Sequence, residues 1–248
     1  MDDAPLADPL EEARRIAQAT GDAGIPLKFT GGVGIALRSP SAAHPPLLRH
    51  YQDLDAVVPS KQAGAVGKLL IELDYVEDER FNAVHGGERL IFIDPRHGRN
   101  VDLFYERIQL CHRLDLRGRL AVEGPALDPA DLLLMKLQVV ETNRKDLTDI
   151  CAIASDHAFE RGGGGVDLDY LTRLTSEDWG LWRTTTMVAR RVIDFVRDFA
   201  ELPTAPLVAE RLDAFVDASE QAPKSRAWKL RARVGDRVRW YELPEEKD

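Results

Sequence analysis

Two carboxylates, Asp53 and Asp55, open the apolar run Asp53-Leu54-Asp55-Ala56-Val57-Val58. In a β-strand, residues i and i+2 project from the same face, so these acids stand side by side. Like charges that close repel unless a cation lies between them. Mg²⁺, or Mn²⁺ in its place, suits that position: Mg²⁺ takes a few carboxylates and fills its other positions with water and substrate phosphate. Earlier in the chain, Phe29-Thr30 runs into Gly31-Gly32. A glycine pair after a strand lets backbone N–H groups approach phosphate oxygens. A third acid, Asp102, lies between apolar neighbours in Val101-Asp102-Leu103-Phe104. A charge on the inner face of a strand is costly unless it is paired or metal-bound. If the two acid-bearing strands are neighbours, the three carboxylates converge; two hold metal, and the third shares it or takes the proton of an attacking hydroxyl. The chemistry such a constellation performs is metal-assisted phosphoryl or nucleotidyl transfer.

The elements that must hold these residues follow from local signals. Asp8-Pro9-Leu10-Glu11-Glu12 predicts a helix start, with Asp as N-cap and Pro at the first helical position. Strands are expected at 26–30, 53–58 and 101–104, with a brief helix over 33–38 and a loop over 39–48, where Pro40, Pro45 and Pro46 fall. Ser60 is placed to cap a helix carrying Val66, Leu69, Leu70 and Leu73. Phe81–His85 and Arg89–Ile93 flank Gly86-Gly87 and predict a β-hairpin. Asp128-Pro129 opens a helical half, with helices expected over 146–157, 168–174, 182–202 and 207–218. Arg231–Val234 and Arg237–Trp240 flank Gly235-Asp236 and predict a closing basic hairpin.

Taken together, Gly31-Gly32, Asp53-x-Asp55 and the later Asp102 resemble the pattern of the nucleotidyltransferase superfamily of the polymerase-β type. Within it the chain looks most like the AbiEii/MenT group of toxin-type nucleotidyltransferases. Arg49 stands where that group has an arginine before the acid pair. Lys136 matches its lysine in a later helix, and Asp146 and Asp149 match its Asp-rich helix. The gap between Gly32 and Asp53 is longer than usual, and Tyr51 stands where the group often has Ser or Thr. The resemblance implies that Asp53, Asp55 and Asp102 are catalytic and metal-binding. It implies that Gly31, Gly32, Arg49, Lys136 and Asp146 bind the nucleotide. The implied reaction moves an NMP from an NTP to an RNA or protein acceptor, with an antitoxin as partner if the chain is a toxin. The rival readings are a small-molecule, antibiotic-type nucleotidyltransferase, a non-catalytic nucleotide binder of the same fold, and a metal-dependent phosphohydrolase. From the residues alone, Lys136 reads equally as a lysine on a solvated stripe. Asp149 reads as part of an exposed acidic face paired with Arg144 or Lys145.

The expected fold class is α/β (α+β): residues 1–124 form a nucleotidyltransferase core with a mixed sheet flanked by helices. Residues 125–248 form a mostly helical C-terminal domain ending in the basic β-hairpin. The chain's 248 residues and 44% hydrophobic content suffice for that. A net charge of -9 argues against a general nucleic-acid coat but not against a local basic patch. Such a patch lies in 224–239, with Trp228, Trp240 and Tyr241 among its cations. That stretch suits an RNA-binding ribbon or an amphipathic hairpin covering the helical half, and the second is the preferred expectation. The two cysteines have no metal-like or disulfide-like spacing. The acidic start and the lack of a membrane-length apolar run predict a cytoplasmic protein with no membrane partner.

Overall fold

The computed structural model describes residues 4–243, and the chain divides into two units. The first comprises residues up to Arg38, His50–Ile108 and Leu114–Asp128. The second comprises Ser39–Arg49, Gln109–Arg113 and the chain from Pro129 onward.

In the first unit, α1 (Pro9–Asp22) starts as its sequence dictates. The Asp8 carboxylate accepts from the Leu10 and Glu11 N–H groups, satisfying two donors that a helix start leaves bare. Then come β1 (Lys28–Thr30), α2 (Gly31–Arg38), β2 (Leu54–Val58), α3 (Ala63–Glu72), β3 (Val76–Glu77), α4 (Glu79–His85), β4 (Arg89–Asp94) and β5 (Arg99–Tyr105). The sheet order is β1-β2-β5-β4-β3, with β2 and β5 parallel and every other pair antiparallel. Phe29, Leu54, Ala56, Val58, Val101 and Leu103 pack with Ala13 and Ile16 of α1 and with Val66 and Leu70 of α3. Alternation along the strands therefore turns Asp55 and Asp102 to the opposite face of the sheet.

The expected hairpin at 81–93 is not formed: Phe81–His85 lies in the helix α4. Asp78 caps that helix by accepting from the Phe81 N–H, and Asn82 clips it to β4 through the Ile91 N–H and C=O. Ser60 does not cap α3; its N–H and hydroxyl bind the Glu106 carboxylate.

A short ribbon, β6 (Arg107–Gln109) with β7 (Arg113–Asp115), follows. The second unit contains α5 (Pro129–Leu137), α6 (Arg144–Asp156), the parallel pair β8 (Phe159–Glu160) and β9 (Val166–Asp167), α7 (Leu168–Glu177), α8 (Trp179–Arg197), α9 (Ala205–Gln221) and α10 (Arg226–Val234). Leu133, Ile150, Ile153, Val188, Val192, Leu212 and Phe215 are wholly buried within it. Residues 39–48, expected as a loop, carry a single 3₁₀ turn at Pro40–Ala43. The Ser41 N–H donates to Asp156 of α6. The basic hairpin is also corrected: Arg231–Val234 finishes α10, and Ser225 caps that helix through the Trp228 N–H. The mixed α/β unit and the mostly helical unit agree with the expected fold class. Among the described residues, no helix is long and apolar enough to cross a membrane.

Candidate active site

The acids stand on neighbouring strands of the first unit. Asp55 of β2 is level with Asp102 of parallel β5, and with Thr30 of antiparallel β1 on its other side. Residues level with one another share a face, so Thr30, Asp55 and Asp102 form one polar row across the sheet. Asp102 is 5% exposed, and Asp55 is half-buried. The Thr30 hydroxyl is buried in this row with no hydrogen-bond partner among the described residues.

Asp53 is placed differently. It precedes the first residue of β2 and is exposed, and its Oδ1 accepts a long, 3.4 Å bond from the Asn100 N–H. Among the described residues, no group of three or more His, Cys, Asp or Glu side chains is arranged to hold a metal ion. The expected three-carboxylate cluster is therefore not preformed. What is level and adjacent is the pair Asp55–Asp102. Two hard carboxylates, with water and substrate phosphate completing the shell, still fit the way Mg²⁺ is bound.

Gly31 and Gly32 are the first two residues of α2 rather than a separate turn. Gly31 has φ of 61°, in the left-handed region, and a Cβ there would overlap the Asp55 Oδ2. Glycine is thus required twice at one position, for the sharp strand-to-helix turn and for the approach of its backbone to the carboxylate. The N-terminal end of α2 carries partial positive charge, so the polar row begins beside an anion-favouring element.

A residue to which the sequence reading gave no role completes this face. Arg89 of β4 donates to Asp102 Oδ1 at 3.2 Å, and its guanidinium lies between the rings of Phe81 (5.2 Å) and Phe104 (5.0 Å). Its Nε is buried without a partner. Arg89 stands opposite Phe104, two residues along from the Ile91–Asp102 pair. The diagonal could be inferred only once the strand register was known.

The remaining candidate residues belong to the second unit and meet one another. Arg49 grips Asp149 with both arms of its guanidinium, Nε to Oδ1 at 2.7 Å and a terminal nitrogen to Oδ2 at 2.8 Å. Lys136, in the last turn of α5, reaches Asp146 Oδ1 at 2.8 Å and Asp149 Oδ2 at 2.9 Å. Asp146 also receives the Asn143 N–H as half of a capping box at the start of α6. Burial disfavours the Lys136 ammonium, but Asp149 and then Asp146 outweigh it and hold its pKa above the ordinary lysine value. Lys136 is therefore not on a solvated stripe. Asp149, 3% exposed, is not part of an exposed acidic face. The expected nucleotide-binding set thus divides, with Gly31 and Gly32 in one unit and Arg49, Lys136 and Asp146 in the other.

The fold and the polar row define the class of molecule: a mixed α/β unit presenting two registered carboxylates beside a glycine-opened helix, joined in one chain to a mostly helical unit. No family model and no curated protein matches the chain. Among solved structures it is similar to the solution structure of the antibiotic-resistance factor ANT(2'')-Ia. The identity is 13%, covering 55% of this chain and 77% of that one, with a TM-score of 0.37.

Proposed function

We propose that this chain is a nucleotidyltransferase that moves a nucleoside monophosphate from an NTP to an acceptor hydroxyl at the face bearing Asp55 and Asp102. The observation that carries this reading is the register of Asp55 with Asp102 on parallel strands, with Gly31 closed onto the Asp55 carboxylate. In the reaction, the acceptor oxygen forms a bond to the α-phosphorus. The bond from that phosphorus to the β-bridging oxygen breaks, and pyrophosphate leaves with its electron pair. The start of α2 favours the triphosphate charge. Asp102 takes the proton of the attacking hydroxyl, and Arg89 holds the Asp102 carboxylate in place. Asp55 and Asp102 would hold Mg²⁺, or Mn²⁺, which when bound offsets charge on the phosphate oxygens. Asp53, being exposed, is assigned to the outer edge of this site.

The acceptor in this reading is RNA or protein; a small molecule is the rival. The narrower AbiEii/MenT-like reading, a toxin with an antitoxin partner, rests on Arg49, Lys136, Asp146 and Asp149. Those four side chains neutralise one another, so a direct nucleotide role for them requires an exchange of partners. The test is incubation with each α-labelled NTP and Mg²⁺ or Mn²⁺, offering total RNA, protein and small hydroxyl compounds in separate arms. Label transfer with stoichiometric pyrophosphate supports the proposal. Phosphate release in place of pyrophosphate makes the chain a phosphohydrolase instead.

One observation favours a second reading. Arg89 already supplies a cation to Asp102, as a nucleotide-binding member without turnover would allow. That reading predicts NTP-dependent thermal stabilisation with no pyrophosphate under any metal.

A further inference from the structure

The stretch from Lys224 to Arg239 holds seven cations and one acid in a chain of net charge -9. The single acid, Asp236, is taken by Arg183. Two of the cations serve the second unit itself. Lys224 lies 5.5 Å from the Trp228 ring centre, and Arg231 lies over the Trp179 ring at 4.5 Å while binding the Gly235 and Val238 carbonyls. The other five, Arg226, Lys229, Arg233, Arg237 and Arg239, are exposed, and among the described residues none of them pairs with a carboxylate. Acids outnumber bases 42 to 33 in this chain, yet among the described residues these five cations have no carboxylate partner, so the stretch is a local anion-attracting face.

Spacing and composition give the kind of anion. Arg226, Lys229 and Arg233 recur at i, i+3 and i+7 and share one face of α10, which has no buried residue. Four of the five cations are arginines, whose forked donors match phosphate oxygens. Beside them Leu230, Val234 and Val238 are 61%, 41% and 58% exposed, and the Tyr241 ring lies under Arg239 at 4.8 Å. Cations in a row for a backbone, with apolar groups and a ring alongside for base faces, are what an unpaired strand needs. A membrane would call for large rings turned outward. Here Trp228 and Trp240 face Trp182 and Trp179 at 5.1 and 5.8 Å, and the Trp182 and Trp228 indole N–H groups are buried.

We propose that the face of α10 and the segment after it bind single-stranded RNA through its phosphates. Binding itself needs no catalysis; only the role of that RNA as acceptor rests on the nucleotidyl-transfer reading. The test is fluorescence anisotropy of the full chain with a labelled single-stranded RNA 20-mer over a range of salt. Five phosphate contacts give a slope of log affinity against log salt of about -3.5. The triple variant Arg226→Glu/Lys229→Glu/Arg233→Glu should bind more than tenfold more weakly, with the slope reduced to about -1.5. Circular dichroism checks that it is folded, and Leu230→Ser, which leaves every cation, should keep the salt slope. Equal binding by the triple variant overturns the proposal. So does tighter binding of phosphatidylserine vesicles or polyglutamate than of RNA at the same salt. RNA labelling by wild type and triple variant alike, without a change in affinity, defeats this surface and leaves the transferase reading standing. Salt-dependent RNA binding with no transfer to any acceptor defeats the transferase reading and leaves the surface.

Discussion

Replacing Gly31 by alanine tests the geometry on which the proposed site depends. The backbone there has φ of 61°, which costs an ordinary L-residue about 1–2 kcal/mol. The new Cβ would overlap Asp55 Oδ2. Asp55 lies on β2, paired with β1 on one side and β5 on the other, so its backbone has no room to retreat and the carboxylate must turn. Forcing a group into packed surroundings costs about 1–3 kcal/mol. The sum is about 2–5 kcal/mol of destabilisation, read by urea unfolding followed by circular dichroism. A double-mutant cycle separates the two parts. In an Asp55→Ala background the overlap with Oδ2 and Cγ is gone and only a tight 3.2 Å approach to the residue-55 Cβ is left, so Gly31→Ala should cost mostly the backbone part, about 1–2 kcal/mol. Turning the carboxylate should also lower transfer activity on the order of 100-fold, since small misplacements of a reacting constellation are costly. A penalty below about 1 kcal/mol in the wild type, or one of equal size in both backgrounds, would refute the close approach.

Three further outcomes are expected. Lys136→Met removes the cation shared by Asp146 and Asp149 and should destabilise the protein by about 3 kcal/mol, seen as a lower urea midpoint; a change under 1 kcal/mol would mean the network behaves as a surface pair. Arg89→Met keeps a stem between Phe81 and Phe104 but removes the Arg89 charge that pairs with Asp102. It should cost about 2–3 kcal/mol by thermal unfolding, less than a fully buried pair because Arg89 keeps 23% side-chain exposure. The third concerns His112, whose backbone N–H donates to the Gln138 side-chain oxygen and whose ring Nε2 lies 2.8 Å from the Thr184 hydroxyl. Burial, only partly opposed by Asp178, holds its imidazole below the ordinary histidine value. As pH falls below about 6.5 the unfolded chain takes up a proton that the folded chain refuses, so stability decreases with falling pH in that window. His112→Gln should flatten the melting temperature between pH 7 and 5; an unchanged slope would assign it to other groups.

Local chemistry was the legible part of this sequence. Asp8-Pro9 announces α1 because cap and proline act within one turn. The acid-bearing runs at Asp53 and Val101 declare strands because β-branched and aromatic residues surround them. The failures lie where a local pattern has two solutions. Phe81–His85 before Gly86-Gly87 mimics a strand and turn, yet Asp78 caps a helix there and Asn82 ties it to β4. The alternation of Arg231-Ala232-Arg233-Val234 suits a strand, yet Ser225 starts a helix that Trp228 and Arg231 anchor on α8 through Trp182 and Trp179. In the candidate site, the level pairing of Asp55 with Asp102 could be stated only as a condition, since register is a long-range property. Arg89 stayed hidden because its target lies on another strand. The burial of Lys136 and Asp149 stayed hidden because one of their partners, Arg49, lies far away in sequence.

That last separation has a consequence for how the protein is made. Ser39–Arg49 belongs to the helical unit but is synthesised ahead of nearly all of it. Arg49 and Asp149 are 100 residues apart, so at ordinary translation speeds of about 5–20 residues per second the arginine emerges about 5–20 s before its carboxylate exists. The sheet that carries Asp55 and Asp102 ends at Tyr105 and can pair its strands during that interval. A nascent chain arrested once Asp128 has cleared the ribosome should therefore hold the acids in register while the 39–49 strap still waits for its anchor.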